Sequence, residues 1–195
     1  MPTRSTTSVL GYALLGLIQQ RPSSGYDLRK TFAETAMGSY SSSPGAIYPA
    51  LQKLEKRGLI KSEVEESSGL RRRRVYKLTS RGDEELKQWL SRDISRDDIV
   101  REIGELMLRF AFTEGTLGTE AATRLLKNLE AGLNSYVPTL KDFLRQNGPR
   151  MTMSGMLALD SGVRNYEALQ QWTAYAIRAY QDVPKRKIAK PTKHR

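Results

Sequence analysis

Tyr48, Gln52, Lys53 and Lys56 fall within nine consecutive residues, and Arg71, Arg72, Arg73 and Arg74 form an unbroken run shortly after. These side chains suit contact with an anionic, hydrogen-bonding surface. Cations and hydroxyls meet phosphates, and an amide such as Gln52 pairs bidentately with adenine. Ser43, just upstream, adds a hydroxyl to the set. Proton-transfer and metal chemistry have far less to work with. The chain has no cysteine, and its single histidine, His194, is one residue from the end. Disulfides and thiolate ligands are therefore excluded, and a zinc site or a Ser-His-Asp triad would have to use that one histidine. The glycines are scattered and give no phosphate-loop or dinucleotide pattern. No enzyme activity, metal or cofactor is expected.

The charge is unevenly distributed. Over 195 residues the formal net charge is +11. Residues 1–90 hold fifteen basic against nine acidic side chains, residues 91–183 hold eleven against twelve, and residues 184–195 hold six against none. The basic excess thus belongs to the first part and the tail, which points to an anionic partner there, nucleic acid ahead of a membrane surface. Hydrophobic residues make up 38% of the chain, enough for a core. No apolar run reaches the ~18 residues of a membrane span, and the first residues lack a signal-peptide apolar segment. A cytoplasmic location is the default expectation.

Local patterns show which elements must position the cluster. Ser43 to Arg57 reads as an amphipathic helix, with Ile47, Ala50, Leu51 and Leu54 on its buried face and Tyr48, Gln52, Lys53 and Lys56 on the other. Ser43 caps it in this reading, Gly58 ends it, and Pro49 costs a hydrogen bond or bends it. Val9 to Gln20 and Tyr26 to Ala36 are expected to be helices, the second with Tyr26, Leu28 and Phe32 among its apolar residues; Gly11 and Gly16 weaken the first, so that it needs tertiary packing or lets another element approach closely. Leu59 to Glu66 and Arg71 to Leu78 read as a hairpin with its arginines near the tip. Helix, helix, turn, helix and a basic hairpin make a winged helix-turn-helix core.

Ser80 to Asp83 fits a capping box opening a fourth helix through Leu86, Trp89 and Leu90. Further helices are expected over Ile99 to Phe112, with Ile103, Leu106, Met107 and Phe110 as the core stripe, over Thr119 to Gln146 with a kink at Pro138, and over Met153 to Tyr180. The fold class is mostly α, of the α+β winged-helix kind. The expected division is a DNA-binding domain at 1–92 and a helical dimerisation and possible effector domain at 93–183, with the polar stretch Ser91 to Asp98 as the linking boundary, and a basic disordered tail at 184–195.

Ile47-Tyr48-Pro49-Ala50-Leu51, Leu54-Glu55 and Gly58-Leu59-Ile60, followed by Tyr76-Lys77-Leu78-Thr79-Ser80-Arg81-Gly82 and preceded by Gly25-Tyr26, resemble the hallmarks of the PadR family of bacterial transcriptional regulators. Leu159-Asp160-Ser161-Gly162 with Trp172 is similar to the family's last helix. The resemblance implies a homodimer formed through the C-terminal helices, repressing from an inverted-repeat DNA operator and relieved by a small aromatic or drug-like effector. The DNA-contacting set is then Ser43, Tyr48, Gln52, Lys53, Lys56 and Arg71 to Arg74. Trp89, Met107, Phe110 and Trp172 are candidates for an effector pocket. The competing reading is a winged helix that binds protein or RNA and has no operator.

Overall fold

The computed structural model describes residues 7–35, 44–65 and 73–182. They form two compact units. The first comprises residues up to Asp93 together with Gly104–Gly118, and the second comprises Ile94–Ile103 and the residues from Thr119 onward.

The first unit is built around α1 (Val9–Gln20), whose cap is Ser8, the Oγ accepting from the Gly11 N–H. Tyr12, Ala13, Leu14, Leu15 and Ile18 of α1 are buried. A two-residue strand β1 (Ser23–Ser24) leads into α2 (Gly25–Glu34). Ser24 and Asp27 there form a reciprocal capping box that satisfies two otherwise orphaned N–H groups. A 3-10 turn (Pro44–Ala46) precedes α3 (Ile47–Lys56). β2 (Ile60–Glu65) and β3 (Arg73–Leu78) follow, then α4 (Ser80–Leu90). The sheet has three antiparallel strands in the order β1-β3-β2, so the expected hairpin gains a third strand from the turn after α1.

Several local expectations are corrected. The helix expected from Ser43 begins instead at Ile47, with no side-chain cap. Pro49 is therefore its third residue, within the first turn, where an N–H has no intrahelical partner to lose. The fourth helix is capped by Thr79, not Ser80, because the Thr79 Oγ1 accepts from the Gly82 N–H at 3.0 Å while donating back to the Gly58 and Leu59 carbonyls. The helix expected over Ile99 to Phe112 is two helices. α5 (Arg96–Arg101) opens on a Ser95–Asp98 capping box inside the stretch read as a linker, and α6 (Ile103–Leu117) runs through Gly115 to stop at Gly118, which has φ +89.

α6 also departs from its expected stripe and from the expected domain boundary. Its buried residues are Leu106, Leu108, Arg109, Phe112 and Thr113, while Ile103, Met107 and Phe110 are only half-buried. Leu108 and Phe112 join the same core as Leu28, Phe32, Ile47, Leu51, Leu54 and Trp89. Phe112 lies on Gly16, where a Cβ would come within 2.6 Å of its ring. Arg109, 1% exposed, donates to the carbonyls of Leu90 and Arg92 and so satisfies acceptors at the C-terminal end of α4.

The close fit of α4 to the base of the wing gives a first test. A Cβ on Gly82 would lie 2.0 Å from the Leu59 carbonyl oxygen, a backbone atom that already accepts from the Thr79 N–H. Gly82→Ala is expected to destabilise the first unit by about 2 kcal/mol, as overpacking does, and to lower the midpoint of chemical unfolding. An unchanged midpoint would show that α4 and β2 shift apart freely.

The second unit holds α5, α7 (Thr119–Asn147), a 3-10 turn (Gly148–Arg150) and α8 (Met153–Asp182). α7 passes through Pro138 as one continuous helix. α7 and α8 run antiparallel, with Tyr136 edge-on to Tyr166 at 5.1 Å, Lys141 paired with Glu167 at 2.9 Å and Asn134 bonded to Gln170. The Tyr166 hydroxyl lies 3.1 Å from the carbonyls of both Ile99 and Val100, which anchors α5. Among the described residues no helix is long and apolar enough to cross a membrane.

Candidate nucleic-acid interface

α3 separates its two faces sharply. Ile47, Leu51 and Leu54 are buried, and Gln52, Lys53 and Lys56 stand exposed on the side away from the core. The apolar period of the helix dictates this split, since the buried positions recur at i, i+4 and i+7. Neither Lys53 nor Lys56 forms an ion pair among the described residues, so both ammonium groups remain available to an anion.

Both ends of α3 are held. Its C-terminus closes with the Gly58 N–H on the Glu55 carbonyl at 2.8 Å and the Leu59 N–H on the Leu54 carbonyl at 3.0 Å. This pattern needs a left-handed residue at Gly58, whose φ is +70. The Arg57 guanidinium then grips both oxygens of Glu85 on α4 at 3.0 Å and also meets the Thr7 hydroxyl. At the N-terminal end, Tyr48 lays its ring on Gly25, where a Cβ would be 2.7 Å from Cε1, yet the side chain stays 46% exposed. Tyr48 thus packs between helices and presents a surface as well.

The wing is tied to both neighbouring helices. Arg73 pairs with Asp27 of α2 and donates to the Ser24 hydroxyl at 3.0 Å. Arg74 donates to Glu55 of α3 at 2.7 Å and to the Ser62 hydroxyl at 2.8 Å, with its guanidinium 5.5 Å from the Tyr76 ring centre. Burial pushes the Asp27 carboxyl up, but hydrogen bonds from Ser24 and the Arg73 charge outweigh it and leave the group below its ordinary value. The Ser62 hydroxyl, joined by Arg74 and opposed by desolvation, holds Glu55 low as well. The hydrogen bond that Arg74 donates to Glu55 in turn raises Arg74. Both carboxylates are thus charged at neutral pH.

The structure places Tyr48, Gln52, Lys53 and Lys56 on one helix and Arg73 and Arg74 on the adjoining strand, all within the first unit. Ser43, Arg71, Arg72 and the tail at 184–195 lie outside the described residues. Tyr26 was expected among the apolar residues of α2, but it is 58% exposed, with the Arg29 guanidinium 5.5 Å from its ring centre. Leu28 and Phe32 suffice to bury that helix. The i, i+3 spacing of an aromatic and a cation at a helix start was the available signal. Val64 of the wing is exposed too.

The four effector candidates fall in both units. Trp89 is a core residue, stacked on Tyr12 at 4.4 Å, with its Nε1 donating to Glu105 at 2.9 Å. Met107 and Phe110 are half-buried on α6 of the same unit, whereas Trp172 sits on α8 of the other. A cavity of about 260 Å³ in the second unit is lined by Leu144, Val163 and charged residues of α7 and α8, and by none of the four.

The negative transcriptional regulator PadR of Bacillus subtilis is 33% identical over 120 residues, which is 62% of this chain and 64% of that protein, slightly under two thirds. The transcriptional regulator YqjI of Escherichia coli is 30% identical over 93 residues, 48% of this chain and 41% of its own length. The solved structure of B. subtilis PadR in complex with operator DNA aligns with 92% of this chain and 99% of that one, at 24% identity and a TM-score of 0.43. The model of the transcriptional regulator PadR-like family matches residues 14–88, the segment that runs from the second half of α1 through α2, α3 and the wing to most of α4. In that segment the chain is similar to the PadR-like family of transcriptional regulators.

Proposed function

We propose that this regulator binds double-stranded DNA sequence-specifically as a homodimer and represses transcription. The observation that carries the reading is the outer face of α3, where Gln52, Lys53 and Lys56 are exposed, the two lysines free of ion pairs among the described residues, on a helix braced at both ends. Such a helix enters the major groove with its N-terminal half nearest the bases, so Tyr48 and Gln52 reach base edges while Lys53 and Lys56 meet phosphates. Arg73 and Arg74 serve the flanking backbone. The name of the B. subtilis relative, a negative regulator, supports repression over activation. Phe143, Met153, Leu157 and Tyr175 of the second unit expose large apolar surface, which supports its use between protomers.

Two recognition helices in a dimer would meet half-sites about 34 Å apart, one turn of DNA. A mobility shift with duplex from upstream of the chain's own gene, followed by footprinting, tests this. A protected inverted repeat and a stoichiometry of two chains per duplex are expected. A shift with RNA or a protein partner but none with duplex would favour the interaction-module reading instead. Release by a small aromatic effector completes the proposal, with Met107 and Phe110 offering half-buried surface beside the core of the first unit. Phenolic acids that neither quench tryptophan fluorescence nor release duplex would remove that part.

A further inference from the structure

Arg73 and Arg74 are successive residues of β3, so their side chains leave opposite faces of the sheet. Each meets a carboxylate from a different helix, Asp27 of α2 and Glu55 of α3. Glu55 lies three positions after Gln52, on the helix assigned to the groove. Both guanidiniums are nevertheless well exposed, at 48% and 56%. Ion pairs so open to water contribute little stability. A DNA phosphate offers the same two-oxygen acceptor geometry as a carboxylate. The Glu55 carboxylate has a second tether, the Ser62 hydroxyl at 2.6 Å, so it keeps its place when the arginine leaves.

We propose that Asp27 and Glu55 are built-in competitors of DNA phosphate: they hold the wing arginines in the free protein, and binding exchanges carboxylate for phosphate. The inference rests on the DNA-binding reading above. Its consequence is discrimination. On an arbitrary duplex the arginines gain little by leaving their carboxylates, and the freed Glu55 faces the backbone with like charge. On a site that seats α3, base contacts supply the free energy for the exchange.

The test measures affinity of the full chain for a random-sequence duplex at several salt concentrations. Glu55→Gln keeps an acceptor for Ser62 and removes the charge. It is expected to tighten binding roughly two- to fivefold, the range of an exposed pair. On this duplex native Arg74 stays with Glu55, whereas the freed Arg74 of the variant meets phosphate, so the salt slope should rise by about one. Arg74→Ala should leave the slope on this duplex near the native value and lower it by about one on the preferred duplex, and adding Glu55→Gln to it should give no gain in affinity. Asp27→Asn should behave likewise through Arg73, and thermal melting should show that every variant folds. A Glu55→Gln gain that survives in Arg74→Ala would reduce the effect to general charge repulsion and overturn the exchange. Weaker binding by Glu55→Gln would show that the pair orients Arg74 instead. Unaltered binding by that variant removes the exchange alone, whereas a native chain that binds no duplex removes the DNA reading itself.

Discussion

Phe112→Ala is expected to cost the first unit about 4 kcal/mol, near the upper end for an aromatic truncated in a core. The ring is 2% exposed and belongs to the cluster that holds α1, α3 and α4 together. It lies on Gly16, which has no side chain to fill the space left behind. Glycine allows the ring to approach the backbone of α1, so the vacated volume would be walled by main chain and collapse poorly. Gln88→Ala, at an exposed residue on α4, supplies the control and should change stability by less than about 0.5 kcal/mol. Equilibrium urea unfolding reads both. The same contact predicts that a fragment ending at residue 92, the boundary expected from the sequence, lacks part of its own core, whereas α6 supplies it in the full chain. A Phe112→Ala loss no larger than that of Gln88→Ala would show that α6 is dispensable to the first unit.

The sequence made the winged core legible because its signals are local. The 3.6-residue period of Ile47, Leu51 and Leu54, the positive-φ glycine after α3 and the β-branched run of the wing each depend on neighbours a few positions away. Gly16 also announced a close approach, though not by which residue. What escaped depends on distant partners. The Asp27 that receives Arg73 is 46 residues earlier, and the Glu55 that receives Arg74 is 19 residues earlier, so four arginines in a row looked uniformly available. Thr79 and Ser80 are equivalent as caps in the sequence, and the Leu59 and Gly58 carbonyls decide between them. Arg109 sits on the apolar face of α6 because the end of α4 needs donors, a demand that no periodicity in α6 records. Ser95-Arg96-Asp97-Asp98 looked like linker because a six-residue helix is too short to show a period. Pro49 ceased to be anomalous once the start of α3 moved to Ile47.

The second large expected effect concerns Lys53 and Lys56. Each cation that meets a phosphate releases a condensed counterion, so removing it lowers the salt dependence of binding as well as the affinity. Gln52→Ala should act differently, weakening the preferred duplex more than an arbitrary one and leaving the salt slope nearly unchanged, because an amide reads bases and releases no ions. These two signatures separate backbone contact from base reading on one helix.

The account therefore rests most directly on a salt titration of operator-duplex affinity for the native chain and for Lys53→Ala/Lys56→Ala. The double variant should bind at least ~10-fold more weakly at low salt, with the slope of log affinity against log salt reduced by about two. Native affinity and slope in a folded double variant would contradict the placement of α3 in the groove, and with it the central claim.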